Sequence, residues 1–170
     1  AGAIMGGIIG QGIIPASEII GSDVFAAGRE KVKEQYGIHV TADNKEVVEK
    51  ADKFILSVKP QFYASVIEEI KDVVRKDQII ITIAPGKTLE WLEEKFGKPV
   101  KIVRTMPNTP AMVGEGMTAV CANEKVTEEE LDEVLTLLGA FGKTEVVSEH
   151  LIDVVVSTSG SSPAYVFMMI

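Results

Sequence analysis

Four short stretches carry residue types able to hold a polar ligand: Asp23, Ser57-Val58-Lys59-Pro60, Ile83-Ala84-Pro85 and Met106-Pro107-Asn108. Each follows an apolar, β-branched run of strand length. In a parallel sheet such runs deliver their carboxyl ends to the crevice where ligands bind. At that position an acidic residue like Asp23 accepts hydrogen bonds from the ribose hydroxyls of a dinucleotide and repels a 2′-phosphate. Arg29 either turns toward such a phosphate or is a solvated helix charge. The backbone amides of Ser57 and Val58, with Lys59 and the turn-forming Pro60, are placed near phosphates or a second ribose. Ile83, Ala84 and Pro85 leave the next run, where small residues let a sugar approach the backbone. Met106 and Asn108 lie in a loop stiffened by two prolines, and the Asn108 amide suits a carboxamide or a substrate.

Each of these residues also has a purely structural reading. Asp23 can cap a turn or helix, Lys59 can be a solvated strand-end lysine, Pro85-Gly86 can be an ordinary tight turn, and Asn108 can shape its loop by an Asx-turn. No Ser-His-Asp, Cys-His or paired-carboxylate arrangement stands out, so no catalytic residue is assigned and chemistry would rest on positioning a cofactor. His39 and His150 are far apart and Cys121 is the sole cysteine, which speaks against a metal site and excludes an internal disulfide. A reducing cytoplasm fits. A net charge of -8 argues against nucleic acid or an acidic membrane surface as partner.

The elements that must position these loops follow from hydrophobic pattern. Strands are predicted at Ile19–Ile20 leading to Asp23, at Phe54–Val58, Ile79–Ile83 and Val100–Met106, and again at Met117–Cys121 and Lys143–Val147. After Pro60, the residues Val66, Ile67, Ile70, Val73 and Val74 share a helical face. Thr127 with Glu130 forms a capping-box pattern before Leu131, Val134, Leu135, Leu138 and Phe141. Asn44 is placed to N-cap a helix through Val47, Val48 and Ala51. Strand and helix alternate, which predicts an α/β, Rossmann-like, doubly wound and mostly parallel sheet. The pattern changes near residue 150: Leu151–Val156 and Tyr165–Ile170 are apolar around polar Ser157–Ser162. Residues 1–150 are therefore expected to form the nucleotide-binding domain and 151–170 to begin an all-α domain.

The opening Ala1–Gly12 is too rich in glycine to have been selected for helix propensity. Close packing against a strand or ligand explains it. Ala1 fits the last small position of a G-x-G-x-x-G/A fingerprint, at a helix N-terminus facing a pyrophosphate. A small-residue helix packed in a core with no ligand explains the segment as well. It has no basic leader and is too short to span a bilayer.

Read together and in order, Ala1–Gly12, Asp43-Asn44-Lys45-Glu46, Ser57-Val58-Lys59-Pro60, Ile83-Ala84-Pro85-Gly86, Arg104-Thr105-Met106-Pro107-Asn108-Thr109-Pro110 and Ser159-Gly160-Ser161-Ser162-Pro163-Ala164-Tyr165 resemble the pyrroline-5-carboxylate reductases. The resemblance implies a domain that holds NADP(H) or NAD(H), with Asn44 on the adenine side, followed by a long-helix domain that forms a homodimer or higher homo-oligomer and completes a cyclic-imine site. It implies reduction of 1-pyrroline-5-carboxylate to L-proline. Asp23 by itself favours tolerance of NADH, whereas the family often uses NADP(H). The family's first strand with its leading G-x-G, and most of its helical domain, are expected to lie outside this chain, leaving it inactive alone. Another imine or β-hydroxyacid reductase, or a non-catalytic dinucleotide sensor, would share these features.

Overall fold

The computed structural model describes residues 1–169. Its first part contains α1 (Gly2–Gly10), β1 (Ile20–Ser22), α2 (Ala26–Tyr36), β2 (His39–Thr41) and α3 (Asn44–Lys50). Then follow β3 (Lys53–Leu56), α4 (Tyr63–Ile70), β4 (Ile79–Thr82), α5 (Leu89–Phe96) and β5 (Lys101–Met106). β6 (Gly116–Ala122), α6 (Glu128–Gly139) and β7 (Gly142–Val146) complete the sheet, and α7 (Glu149–Val155) and α8 (Ser162–Met169) end the chain.

The fold is Rossmann-like, with helices on both faces of a mostly parallel sheet. Five strands are ordered β3-β4-β5-β6-β7, and β1-β2 form a separate parallel pair. Within the five, only β5 and β6 run antiparallel, with Arg104 opposite Cys121 and Met106 opposite Ala119. Spacing alone had left that order open. Among the described residues β1, β2, β3 and β7 each pair with a single strand.

All four residues of β4 are buried because both faces of the strand are covered. Ile80 packs with Phe54, Leu56 and Ile102 under Tyr63, Ile67 and Ile70 of α4 and Leu92 and Phe96 of α5. Ile79 and Ile81 point the other way, into a cluster with Val103, Val120, Val134 and Leu138 that also receives Ile4 and Ile8 of α1. The period of two along the strands thus sorts two cores onto opposite faces.

Several boundaries differ from the pattern-based expectation. After the tight turn Pro60–Phe62, α4 stops at Ile70, and the amides of Val73 and Val74 both fold back on the Ile70 carbonyl at 3.0 and 3.2 Å. Helix α3 is capped by Asp43, whose carboxylate accepts from the Lys45 amide at 2.8 Å; Asn44 is already inside the helix. The capping box of α6 forms as expected, with Thr127 and Glu130 exchanging bonds. Polar Ser157–Ser162 does not interrupt the terminal helix. α7 runs through a π-helical stretch, Val156–Ser161, into α8. Pro163 has no N–H to continue the ordinary ladder, and Ser162 Oγ donates to the Ser157 carbonyl at 2.8 Å, five residues back. Ile170, the last residue of the predicted apolar run, lies outside the described residues.

Candidate active site

Strands β3, β4 and β5 are adjacent, parallel and in register, so they deliver Ser57–Pro60, Ile83–Pro85 and Met106–Asn108 to one end of the sheet. Lys59 is exposed and makes no ion pair among the described residues. Its carbonyl accepts from Phe62 to close the turn at 2.9 Å. Ala84 is buried, and Pro85 precedes Gly86, whose φ of 71° gives the tight turn that a β-carbon would strain. Thr88 then caps α5 by accepting from the Trp91 amide at 3.1 Å.

Tyr63 holds two of these loops together, a role its sequence position did not disclose. Its ring is fully buried and its hydroxyl donates to the Leu56 carbonyl at 2.5 Å. Burial pushes the phenol up to about 12, against the opposing pull of backbone hydrogen bonds from Ile83 and Ala84. One side chain therefore links the end of β3 to the exit of β4. The available signal was a tyrosine three residues after the strand-end proline.

Asn108 does not make the Asx-turn offered as its structural alternative. Its Oδ1 accepts from the Met117 amide at 2.9 Å, closing the whole loop onto the start of β6. Met106 packs beside the π-helical stretch; a β-carbon on Gly160 would come within 3.0 Å of its methyl group.

Asp23 ends β1, in the two-stranded pair. Its Oδ1 accepts from the Phe25 amide at 2.8 Å, so it does cap the turn into α2. Arg29 donates to the Asp23 carbonyl at 2.6 Å, bringing a guanidinium to this strand end rather than leaving it as a free helix charge. A β-carbon on Gly28 would sit 2.9 Å from the Asp23 carboxylate, so that glycine leaves room for it. Asn44 accepts from Ser22 Oγ at 2.7 Å and donates to Glu69 at 2.9 Å, tying β1 to α4.

Ala1 precedes α1, which packs on α2 and on the segment that follows Asn108. The Gly2 carbonyl accepts from the Tyr36 hydroxyl at 3.1 Å. Tyr36 is the last residue of α2. Three of the four glycines of α1 meet protein. β-carbons on Gly2 and Gly6 would touch Tyr36 at 3.5 and 3.4 Å, and one on Gly7 would lie 2.8 Å from the Ala140 carbonyl. Packing within the chain accounts for this part of the glycine pattern.

The donor set suits an extended dinucleotide. Asp23 offers a carboxylate to ribose hydroxyls, Arg29 a cation beside it, and the three strand-end loops offer amides and small side chains. Among the described residues no group of three or more His, Cys, Asp or Glu could hold a metal.

Residues 1–86 match the family model described as NADP oxidoreductase coenzyme F420-dependent. The chain is 42% identical over 171 residues to the pyrroline-5-carboxylate reductase of Escherichia coli (strain K12), covering 99% of this chain and 62% of that protein. Among solved structures, a pyrroline-5-carboxylate reductase from Coxiella burnetii superposes with a TM-score of 0.91 at 35% identity, over 98% of this chain and 62% of that one. A Plasmodium falciparum pyrroline carboxylate reductase with NADP bound gives 0.88 at 28% identity, over 99% and 61%. The chain thus spans under two thirds of the length of these relatives.

Proposed function

This chain belongs to the NADP oxidoreductase, coenzyme F420-dependent, family and within it to the pyrroline-5-carboxylate reductases, and on that premise we propose that the whole protein reduces 1-pyrroline-5-carboxylate to L-proline with NADPH or NADH. The observation that carries this reading is the convergence of Ser57–Pro60, Ile83–Pro85 and Met106–Asn108 at the ends of three registered parallel strands. When bound, the reduced nicotinamide supplies a hydride to the imine carbon.

The chain's own residues bind and orient. Asp23 engages the adenosine ribose, and Arg29, held on the Asp23 carbonyl, offsets the charge of a 2′-phosphate. Ser22 and Asn44 line the adenine side. The amides and small residues of Ser57–Pro60 and Ile83–Pro85 hold the phosphates and the second ribose, with Tyr63 fixing the separation of the two loops. Met106 and Asn108 wall the nicotinamide. Positioning by these groups, and exclusion of water, provide the acceleration.

Residues 1–150 act as the cofactor domain, and the helix from 151 begins the substrate and dimer domain. Tyr165, Val166, Met168 and Met169 of α8 are 65%, 54%, 83% and 86% exposed, an apolar surface suited to a second copy of the protein. No helix among the described residues is long and apolar enough to cross a membrane, and a cytoplasmic setting is proposed. Full-length protein incubated with pyrroline-5-carboxylate and NADPH or NADH should yield proline. No proline with either cofactor would overturn the assignment.

A further inference from the structure

Arg104 is the largest fully buried side chain of the protein, 1% exposed in the middle of β5. Its Nη1 donates to Glu149 Oε1 at 2.9 Å and its Nη2 to Asp153 Oδ1 at 3.1 Å, two carboxylates one turn apart on α7. The same Glu149 oxygen accepts from the Leu89 amide at 2.7 Å. Leu89 is the first residue of α5 and closes the loop that begins at Ile83. A single carboxylate of α7 is therefore bonded to the β4 loop and to β5, two of the three strands whose ends form the candidate cradle.

Burying a guanidinium costs solvation that an ion pair rarely recovers in full, so an apolar side chain would hold α7 to the sheet at least as well. What the charges add is register. Glu149 and Asp153 fit the Arg104 fork at one position of the helix, and a slip by one turn would move every later residue by about 5.4 Å. Those later residues are the π-helical stretch. There a β-carbon on Gly160 would lie 3.0 Å from the Met106 methyl, a tight approach. Ser159 Oγ is buried in the same stretch without a hydrogen-bond partner among the described residues. α7 is thus held at Leu89 and Arg104, and the stretch after it lies against Met106, all at or just behind the proposed cofactor loops.

We infer that the Arg104–Glu149 pair is a positioning device that couples the Ile83–Leu89 and Met106–Asn108 loops to the helix carrying Ser157–Ser162, so that ordering of the cofactor loops on binding steadies the hydroxyl-rich stretch in its one register. This rests on the proposed reductase reading for its kinetic consequence. Neither Arg104 nor Glu149 needs to touch substrate or cofactor.

The test uses full-length protein as wild type and as Glu149→Gln, Arg104→Met and Arg104→Lys. Glu149→Gln keeps an acceptor for Leu89 but leaves the buried guanidinium with only the exposed Asp153 as a charged partner. The expected result is a fall in kcat of about tenfold or more in Glu149→Gln and Arg104→Met, with the KM for NADPH changed by less than about threefold, and partial recovery of kcat in Arg104→Lys. A second readout does not need turnover: amide hydrogen exchange over residues 157–165, with and without NADPH. Wild type should gain protection there on adding NADPH, and Glu149→Gln should lose that gain. Failure of NADPH to protect this segment in wild type overturns the coupling, as does a Glu149→Gln protein that keeps both kcat and the protection. A wild type that makes no proline but shows the protection, abolished in Glu149→Gln, defeats the reductase assignment while sustaining the coupling.

Discussion

The two sheets of this protein solve different problems. In the five-stranded sheet every residue of β4 is buried, and α4, α5 and α6 each press at least two fully covered side chains onto it. In the β1-β2 pair the strands are three residues long, neither contains a buried residue, and α2 buries none at all. Polar contacts take the place of packing there: Ser22 to Asn44, Arg29 to Asp23, Tyr36 to Gly2. On the proposed reading, the loops assigned to the nicotinamide rest on a packed core, and the end assigned to the adenosine is a rim held by polar contacts.

Substitutions can break or sharpen that contrast. Ile80→Ala, in the middle of β4, should cost about 2–5 kcal/mol in a denaturant titration, whereas Val40→Ala in half-buried β2 should cost about 1 kcal/mol or less. Equal losses would erase the distinction between core and rim. Tyr63→Phe should cost about 1–2 kcal/mol, because the Leu56 carbonyl loses its partner inside the core. It also carries a pH signature. With a folded pKa above the ordinary 10.0, Tyr63 contributes stability that is intact below pH 10 and declines as pH rises toward about 12. Thermal melts across that window should show a steeper alkaline loss in wild type than in Tyr63→Phe.

Thr127→Ala removes half of the α6 capping box and should cost about 1 kcal/mol by the same titration. The smallest stability effect is expected at the rim: Asp23→Ala, which loses one exposed capping bond to the Phe25 amide, should cost about 0.5 kcal/mol. Its effect belongs to ligand choice, since loss of the carboxylate should weaken NADH by roughly tenfold while sparing NADPH, which keeps Arg29. Fluorescence titration of the full-length protein with each cofactor measures this. Unchanged preference would remove Asp23 from the cofactor site.

Legibility in the sequence followed the same divide. Ile79–Thr82 and the Thr127–Glu130 box were readable because continuous apolar character and capping chemistry are local signals. Helix α2 and strand β2 were not, since Ala26–Tyr36 is dominated by charge and small residues and His39–Thr41 is too short to show alternation. Asp43 and Asn44 are both competent caps, and only the backbone decides between them. Arg104 stood in plain view inside the R-x-M-P-N-T-P stretch, yet its partners are 45 and 49 residues away. Tyr63 carries no local sequence signal for its bond to the Leu56 carbonyl seven residues back. The glycines of α1 read equally as a nucleotide fingerprint and as close packing, and Tyr36 and Ala140 are packing partners that composition could not locate.

The outer strand β7 has a consequence for handling the chain. Among the described residues Gly142–Val146 pairs only with β6, and it exposes Lys143 and Glu145, charges of both signs that oppose pairing with a neighbour's strand. Replacing both by valine should accelerate the loss of soluble material on storage, and the loss should grow with concentration.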